Sequence, residues 1–211
     1  MHFHAEIWIP IKEDVDEQIS GIMDPYWEQR QVLKQTEEWI DDNNRKHKET
    51  YWTNPNGFWD WFEIGGRWTG DHDGYNPRTD RRNWEKCSLC EGTGYRNDKL
   101  GKAEREKDPT YTCNACGEYD HKKKQWSHGN LPAGMRVTWN YKRHDGDIMP
   151  VKEISDDLQC YTLILNGKDV YHRREWNGKT FEKTAFDGMV KKKLDEMGVT
   201  DGYIVTVDYH C

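Results

Sequence analysis

The chain has 211 residues, of which 34% are hydrophobic and 33% charged, and its formal net charge is −7 at neutral pH. This length suits one domain of moderate size with an embellishment, and the acidic balance argues against a surface that binds polyanions over its whole extent. A low hydrophobic content favours disorder, but 11 Trp, 11 Tyr and 5 Phe supply large areas for burial and offset the shortage of aliphatic residues.

The first ten residues, MHFHAEIWIP, lack the features of an export signal: a basic start, a long apolar run and a small-residue cleavage site. No segment approaches the roughly 20 apolar residues of a membrane span. We therefore expect a soluble, cytoplasmic protein with no membrane partner. In that reducing compartment Cys160 and Cys211 would be free thiols.

The N-terminal part of the chain predicts a strand followed by a helix. Polar and apolar residues alternate over positions 2–9, which indicates a strand with one buried face. Asp24-Pro25 is typical of a helix start, and an apolar stripe with helical spacing follows between residues 32 and 40. We expect this helix to continue to about Lys48.

The C-terminal part predicts a hairpin, a helix and a last strand. Asn166-Gly167 is the pair that best satisfies a type I′ turn, and the pattern that begins at Thr184 resembles a capping box. Gly198 would end the helix. The predicted elements are strands over 160–165 and 168–173, a helix over 184–197 and a strand over 203–210.

This order of elements, strand, helix, strand, strand, helix, strand, is that of a ferredoxin-like α+β sandwich, in which both helices cover one face of a four-stranded antiparallel sheet. Residues 1–48 and 160–211 would form this core. A long insertion would comprise a Trp-rich part, residues 49–80 and 127–159, that packs on the core, and a zinc ribbon, residues 81–126.

Two C-x-x-C pairs, Cys87/Cys90 and Cys113/Cys116, are separated by 22 residues. Two thiolates at this spacing can hold a metal from one tight turn, and two such turns complete a tetrahedral zinc site. The alternatives are two disulfides or reduced, buried thiols, and the missing export signal argues against disulfides. We expect one structural zinc, with the exposed tip of a hairpin over residues 97–108 between the pairs.

A first candidate site lies on the first and last strands. In the ferredoxin-like arrangement these strands are antiparallel neighbours, so His2 and His4 would lie opposite Asp208 and His210 on the uncovered face of the sheet. His4 or His210 could act as a base or a metal ligand, with Asp208 orienting it. The alternative is a row of solvated polar residues.

A second candidate is the aromatic segment 58–70. Gly65 and Gly66 permit positive φ and close backbone approach, which suits a ligand-binding turn. Arg67, flanked by aromatic residues that include Trp68, could stack on a planar ligand or clasp a phosphate or carboxylate. The alternative is a packing hub in which Arg67 pairs with an acidic neighbour.

The segment Cys87-Ser-Leu-Cys90-Glu-Gly-Thr-Gly94 resembles one knuckle of the cysteine-rich zinc module of J-domain chaperones, in which such modules help to hold client polypeptides. The segment at Cys113 keeps the ligand pair but lacks the second glycine of that pattern, and only one pair of knuckles is present. The resemblance therefore implies a single-zinc ribbon and does not imply chaperone activity.

The segment Asp60-Trp-Phe-Glu-Ile-Gly-Gly-Arg-Trp68, with the terminal Val207-Asp-Tyr-His210, resembles an uncharacterised family of small phage and bacterial proteins that share an IGGRW motif. The resemblance implies that Arg67, Asp208 and His210 belong to one site, and it suggests a phage setting.

Together these patterns favour a zinc-binding, cytoplasmic, phage-encoded adaptor that recognises a protein or nucleic-acid partner through its zinc ribbon. The main alternative is an enzyme or a small-ligand (nucleotide) binding protein that uses the His, Asp and Arg residues of the uncovered face. A structural component of the virion is a third hypothesis. The sequence decides neither whether the protein is an enzyme nor its oligomeric state.

Overall fold

The computed structural model describes residues 1–116, 118–120, 125–127, 131–138, 141–177 and 179–211. Within them the α-helices are α1 (Val15–Met23), α2 (Lys99–Lys107) and α3 (Val190–Glu196). The strands are β1 (His2–Ile9), β2 (Leu33–Ile40), β3 (Lys46–Thr53), β4 (Trp61–Ile64), β5 (Trp84–Lys86), β6 (Glu118–Asp120), β7 (Gln125–Ser127), β8 (Met135–Val137), β9 (Ile148–Pro150), β10 (Thr162–Leu165), β11 (Asp169–His172), β12 (Arg174–Trp176), β13 (Phe181–Lys183) and β14 (Tyr203–His210). None of the helices in this part of the chain is long and apolar enough to cross a membrane.

The chain forms two compact units. Unit 1 comprises Met1–Tyr75 and Arg143–Cys211, and unit 2 comprises Asn76–Lys142. The three-part division into core, Trp-rich insertion and zinc ribbon stays a prediction, and part of that insertion, residues 128–130 and 139–140, lies outside the described residues.

Unit 1 is built on a six-stranded sheet. Its strand order is β11-β10-β1-β14, and β9 and β4 pair with the two halves of the other edge of β14. The predicted antiparallel pairing of the first and last strands is confirmed, with His2 opposite His210 and His4 opposite Asp208. Strand β10 runs parallel to β1, and β11 returns beside it as a hairpin.

The α+β class is confirmed, but the strand arrangement is not the predicted ferredoxin-like one. The predicted sheet is wholly antiparallel with both helices on one face. In the structure β1 and β10 are parallel, and α1 and α3 pack on opposite faces. Two parallel neighbouring strands require a long crossover connection. The chain between β1 and β10 supplies it, and α1, α2 and the strands β2 to β9 form within this connection.

Each face of the sheet carries its own apolar core, since alternate residues of β1 and β14 point to opposite faces. The first core packs α1 against the sheet, with Ile7, Ile9, Ile19, Val205 and Val207 buried in it. The second packs α3 against the other face, with Leu163, Leu165, Val190, Leu194 and Ile204 buried in it. Each such side chain contributes about 1.5–3 kcal/mol relative to an exposed one.

The helix predicted over residues 24–48 is wrong, because this region contains one short 3₁₀ turn followed by the hairpin β2–β3. The hairpin turn is set by Asp41, whose Oδ1 accepts the backbone N–H groups of Asn43 (3.0 Å) and Arg45 (2.9 Å). Asn44 supplies the left-handed residue, with φ +60°. The Thr, Trp and Tyr residues on either side favour strands and outweigh the helical stripe.

Three predictions for the C-terminal part are confirmed: the Asn166-Gly167 turn, the end of the helix before Gly198 and the last strand. Asn166 and Gly167 both have positive φ, 51° and 65°, and connect β10 to β11. Helix α3 ends before Gly198, as expected, although it begins at Val190 and not at residue 184. The last strand has the predicted bounds. Helix α1, by contrast, is not predicted by the sequence pattern.

Candidate metal centre and buried polar cluster

The four cysteine sulfurs of the two C-x-x-C pairs converge in unit 2. The Cys87 and Cys113 sulfurs are 3.8 Å apart, those of Cys90 and Cys116 are 3.4 Å apart, and all four lie within 4.8 Å of one another. Thiolates bound at about 2.3 Å to a tetrahedral zinc stand about 3.8 Å from each other. The four side chains are at most 1% exposed, so the donor set fits one enclosed zinc ion.

The first knuckle is shaped by glycines that take positive φ. Gly92 and Gly94 have φ of 84° and 78°, and their backbone N–H groups point at the Cys90 sulfur. Burial raises the pKa of Cys90, but hydrogen bonds from the Cys116 thiol and from these two N–H groups lower it to about 7. Burial raises the pKa of Cys116, so a cation is needed to keep that sulfur ionised.

Backbone hydrogen bonds join the two knuckles to a small sheet. Strands β5 and β8 pair antiparallel, and Cys87 N–H donates to the Gly134 carbonyl at 2.8 Å. Cys113 N–H donates to the Gly94 carbonyl at 2.8 Å, which ties the second knuckle to the first. The hairpin tip predicted over residues 97–108 is wrong, because this region forms α2, capped by the Asp98 carboxylate.

Unit 1 contains a second concentration of polar side chains, on the sheet face that also carries α3. It comprises His2, His4, Glu6, His72, Thr206 and Asp208, which we call the polar cluster. This face was expected to be uncovered. In the structure residues 65–75 cover it, and His4, Glu6, Thr206 and Asp208 are buried.

Glu6 is the centre of the polar cluster. Its carboxylate accepts hydrogen bonds from His4 Nε2 (2.7 Å), His72 Nε2 (3.0 Å) and the Thr206 hydroxyl (3.0 Å). The other ring nitrogen of His72 donates to the Gly146 carbonyl at 3.0 Å. With both nitrogens donating, His72 is an imidazolium that neutralises Glu6.

The pKa values of this pair follow from their mutual contact. Burial alone raises the pKa of Glu6, but the charge of His72 and hydrogen bonds from both histidines lower it to about 2. Burial alone lowers the pKa of His72, but the charge and the hydrogen bond of Glu6 raise it above 6.5. Each partner thus favours the ionised form of the other, inside the protein.

Asp208 connects the cluster to the IGGRW segment. It accepts hydrogen bonds from His2 Nδ1 at 2.9 Å and from the backbone N–H of Arg67 at 3.1 Å. The Arg67 side chain is exposed and does not pack between the neighbouring tryptophan rings. The ligand-binding role of Arg67 stays a prediction, and so does the role of Asp208 in a site.

The remaining predicted residues lie around the same end of the sheet. His4 stacks on Trp68, with ring centroids 4.9 Å apart and an interplanar angle of 9°. His210 instead faces Asp60, with Nδ1 2.9 Å from Oδ1, and its ring lies 5.3 Å from that of His2. Within the described ranges, the one group of three or more His, Cys, Asp or Glu side chains placed to hold a metal ion is that of the four cysteines.

Asp147 has a structural role that the sequence pattern does not predict. Its carboxylate accepts the Gly70 N–H (3.0 Å), the Thr69 hydroxyl (3.2 Å) and the His144 N–H (3.2 Å), which anchors the segment that covers the polar cluster. Burial raises its pKa. Because Thr69 is 78 positions away, no local pattern could have identified this contact.

We predict that Gly66→Ala destabilises unit 1 by about 2–4 kcal/mol. Gly66 has φ +55°, and a Cβ there would lie 2.5 Å from Asp208 Cβ, so backbone strain and overpacking add. Gly74→Ala is the matched control, because Gly74 has φ +74° and open space around the position. It should cost only about 1–2 kcal/mol. Urea unfolding would measure both, and equal losses would contradict the close approach of Gly66 to Asp208.

No protein-family model, curated protein or solved structure matches the chain.

Proposed function

We propose that this protein is a zinc-binding adaptor whose unit 2 is a zinc ribbon that recognises a nucleic-acid partner. The observation that supports it is the buried tetra-cysteine group, because four sulfurs at this spacing leave no open coordination position for a substrate. Such a site organises the fold around it. The recognising groups must then lie on the surface that the metal holds in place.

Charge supports nucleic acid over a protein as the partner. Unit 2 contains 14 Lys and Arg against nine Asp and Glu, a formal +5, while unit 1 contains 17 against 29, a formal −12. One zinc with four thiolates subtracts 2, which leaves unit 2 at +3. A basic unit on an acidic protein confines attraction for phosphates to one part of the chain. Three of these lysines, residues 122–124, lie outside the described residues.

The surface of unit 2 also offers aromatic rings beside arginines. The Tyr95 ring is 49% exposed, and the Arg105 guanidinium lies 5.9 Å from its centroid. Lys99 and Lys102 are exposed on α2, which begins three residues after Arg96. Unpaired bases stack on exposed aromatic rings while cations contact the backbone, so single-stranded nucleic acid fits this surface best.

We expect the zinc-loaded full chain to bind a labelled single-stranded oligonucleotide, with an affinity that falls as salt rises. The double variant Lys99→Glu/Lys102→Glu should weaken binding at least tenfold, because α2 then repels phosphates. The control Lys152→Glu/Lys168→Glu changes the net charge equally, at exposed positions of unit 1, and should have little effect. Fluorescence anisotropy at several salt concentrations would measure both.

Two outcomes would contradict this proposal. Equal losses in the two double variants would show diffuse attraction without a site on unit 2. Absence of binding to single-stranded DNA and RNA at low salt would exclude a nucleic-acid partner and leave a protein partner for the zinc ribbon.

The resemblance to the IGGRW proteins supports a further part of the proposal, that the protein is phage-encoded and acts in the host cytoplasm. A reducing compartment suits the centre, because all six cysteines are free and the four in unit 2 are arranged to ligate a metal.

A further inference from the structure

Unit 1 has a pocket of about 250 Å³ at the start of β1, beside the segment that leads into β10. Tyr161 N–H donates to the His4 carbonyl and Arg173 N–H donates to the Tyr161 carbonyl, so backbone hydrogen bonds fix two sides of the pocket. The volume is below the roughly 300–1,000 Å³ of sites for drug-sized ligands, which favours a ligand of one or two rings.

The walls of the pocket are aromatic. The Trp68 ring lies parallel to the His4 ring at 4.9 Å, and the Tyr161 ring packs against Phe3 at 4.7 Å. All four side chains line the pocket. Flat, rigid walls of this kind suit a planar ligand, because ring stacking requires little loss of side-chain entropy.

Two hydrogen-bond donors of the pocket have no partner in the described part of the chain. The Trp68 Nε1 atom is buried and makes no hydrogen bond there. The exposed Arg173 guanidinium likewise has neither a hydrogen bond nor an ion pair among the described residues. The exposed guanidinium can therefore bind an acceptor on a ligand, whereas the buried Trp68 N–H is closed off from one.

The charge of the lining favours an anionic ligand. None of the eight residues that form it is Asp or Glu, although the chain as a whole has a net charge of −7. His2 and His4 also line the pocket, but carboxylates outside the lining face their rings. Asp208 faces His2, Glu6 faces His4, and Asp71 lies 3.6 Å from the Nδ1 atom of His4. Arg173 is therefore the one fixed charge, which matches one anionic group.

Covalent chemistry does not fit this pocket. Cys160, which also lines it, is buried, and burial raises the pKa of its thiol well above the usual value. A protonated thiol is a poor nucleophile at neutral pH. The lining thus supports reversible binding.

We propose that this pocket binds an aromatic or heteroaromatic ring that carries one carboxylate or phosphate group. The ring lies between Trp68 and Tyr161, and the anionic group accepts hydrogen bonds from the Arg173 guanidinium. This site is independent of the zinc centre and of nucleic-acid binding by unit 2.

The test is calorimetric titration of the zinc-loaded full chain with benzoate, phenyl phosphate and adenosine 5′-monophosphate. Benzamide and adenosine supply the rings without the charge, and inorganic phosphate supplies the charge without a ring. At least one charged ring should bind tenfold or more tightly than its uncharged counterpart and than inorganic phosphate. Comparing benzoate with phenyl phosphate separates carboxylate from phosphate ligands. The proposal is overturned if no charged ring shows this preference.

Matched variants place the binding in this pocket. Arg173→Gln should weaken binding of the preferred probe at least tenfold, whereas Arg174→Gln, an exposed neighbour outside the lining, should leave it unchanged. Trp68→Phe keeps a smaller stacking ring, so it should weaken binding less than Arg173→Gln does. Wild-type affinity in Arg173→Gln, or equal losses in both arginine variants, would overturn the proposal.

Discussion

Removal of zinc, or substitution of Cys90 or Cys113 by serine, will unfold unit 2 while unit 1 keeps its sheet. Among the described residues of unit 2, the buried apolar side chains are the four cysteines and Leu131, so the unit has almost no core apart from the metal site. Zinc binding to such sites supplies about 10–16 kcal/mol, more than a small unit gains from packing.

Metal analysis of the purified protein should find about one zinc per chain, and chelation should release it together with the structure of unit 2. Circular dichroism and the amide NMR spectrum would follow the two units separately. Cys211→Ser is the control, because Cys211 is exposed and free and should affect neither zinc content nor fold. Two zinc ions per chain, or spectra that do not respond to chelation, would contradict a single structural site.

The correct predictions rest on local sequence patterns. Alternation along β1 and β14, the Asn166-Gly167 turn and the C-x-x-C spacing each depend on a few neighbouring residues, and the structure confirms the two strands, the turn and the convergence of the sulfurs. These signals are strong because a turn residue with positive φ or a ligand pair allows few alternatives.

The failures arose where two local patterns competed or where contacts were distant. The apolar residues between 32 and 40 fit a helical stripe, but Asp41 favours a hairpin, because its carboxylate accepts the N–H groups of Asn43 and Arg45 and stabilises a tight turn. The sequence predicts an uncovered sheet face because the pattern of β1 does not reveal which later segment covers it.

The pocket lining likewise combines residues that are distant in sequence, which local patterns do not predict. His4 and Trp68 are candidates from the sequence, which combines them with Arg67, the chain neighbour of Trp68. The structure instead places Arg173 in the pocket lining with them, through the hydrogen bond between Arg173 N–H and the Tyr161 carbonyl. A parallel pairing of β1 with β10 produces this neighbourhood, and the sequence predicted a different strand order.

Glu6→Gln will destabilise unit 1 by about 3–5 kcal/mol at a pH near 5.5, because it leaves the imidazolium of His72 buried without its counter-charge. The cost should decrease at higher pH, where His72 can lose its proton and become a neutral partner for the glutamine. Glu153→Gln, at an exposed position of the same unit, is the control and should change stability little at either pH.

The same pair sets the pH dependence of the wild-type protein. The pKa of Glu6 is lowered from 4.5 to about 2, so its contribution is present above pH 4.5 and is lost as the pH falls toward 2. The pKa of His72 is raised from 6.5, so its contribution is present below pH 6.5 and is lost as the pH rises through the folded-state pKa. Stability from this pair is therefore greatest between these limits. Urea unfolding of wild type and Glu6→Gln across this range tests the assignment, and an equal loss in the variant at every pH would show that Glu6 acts through packing alone.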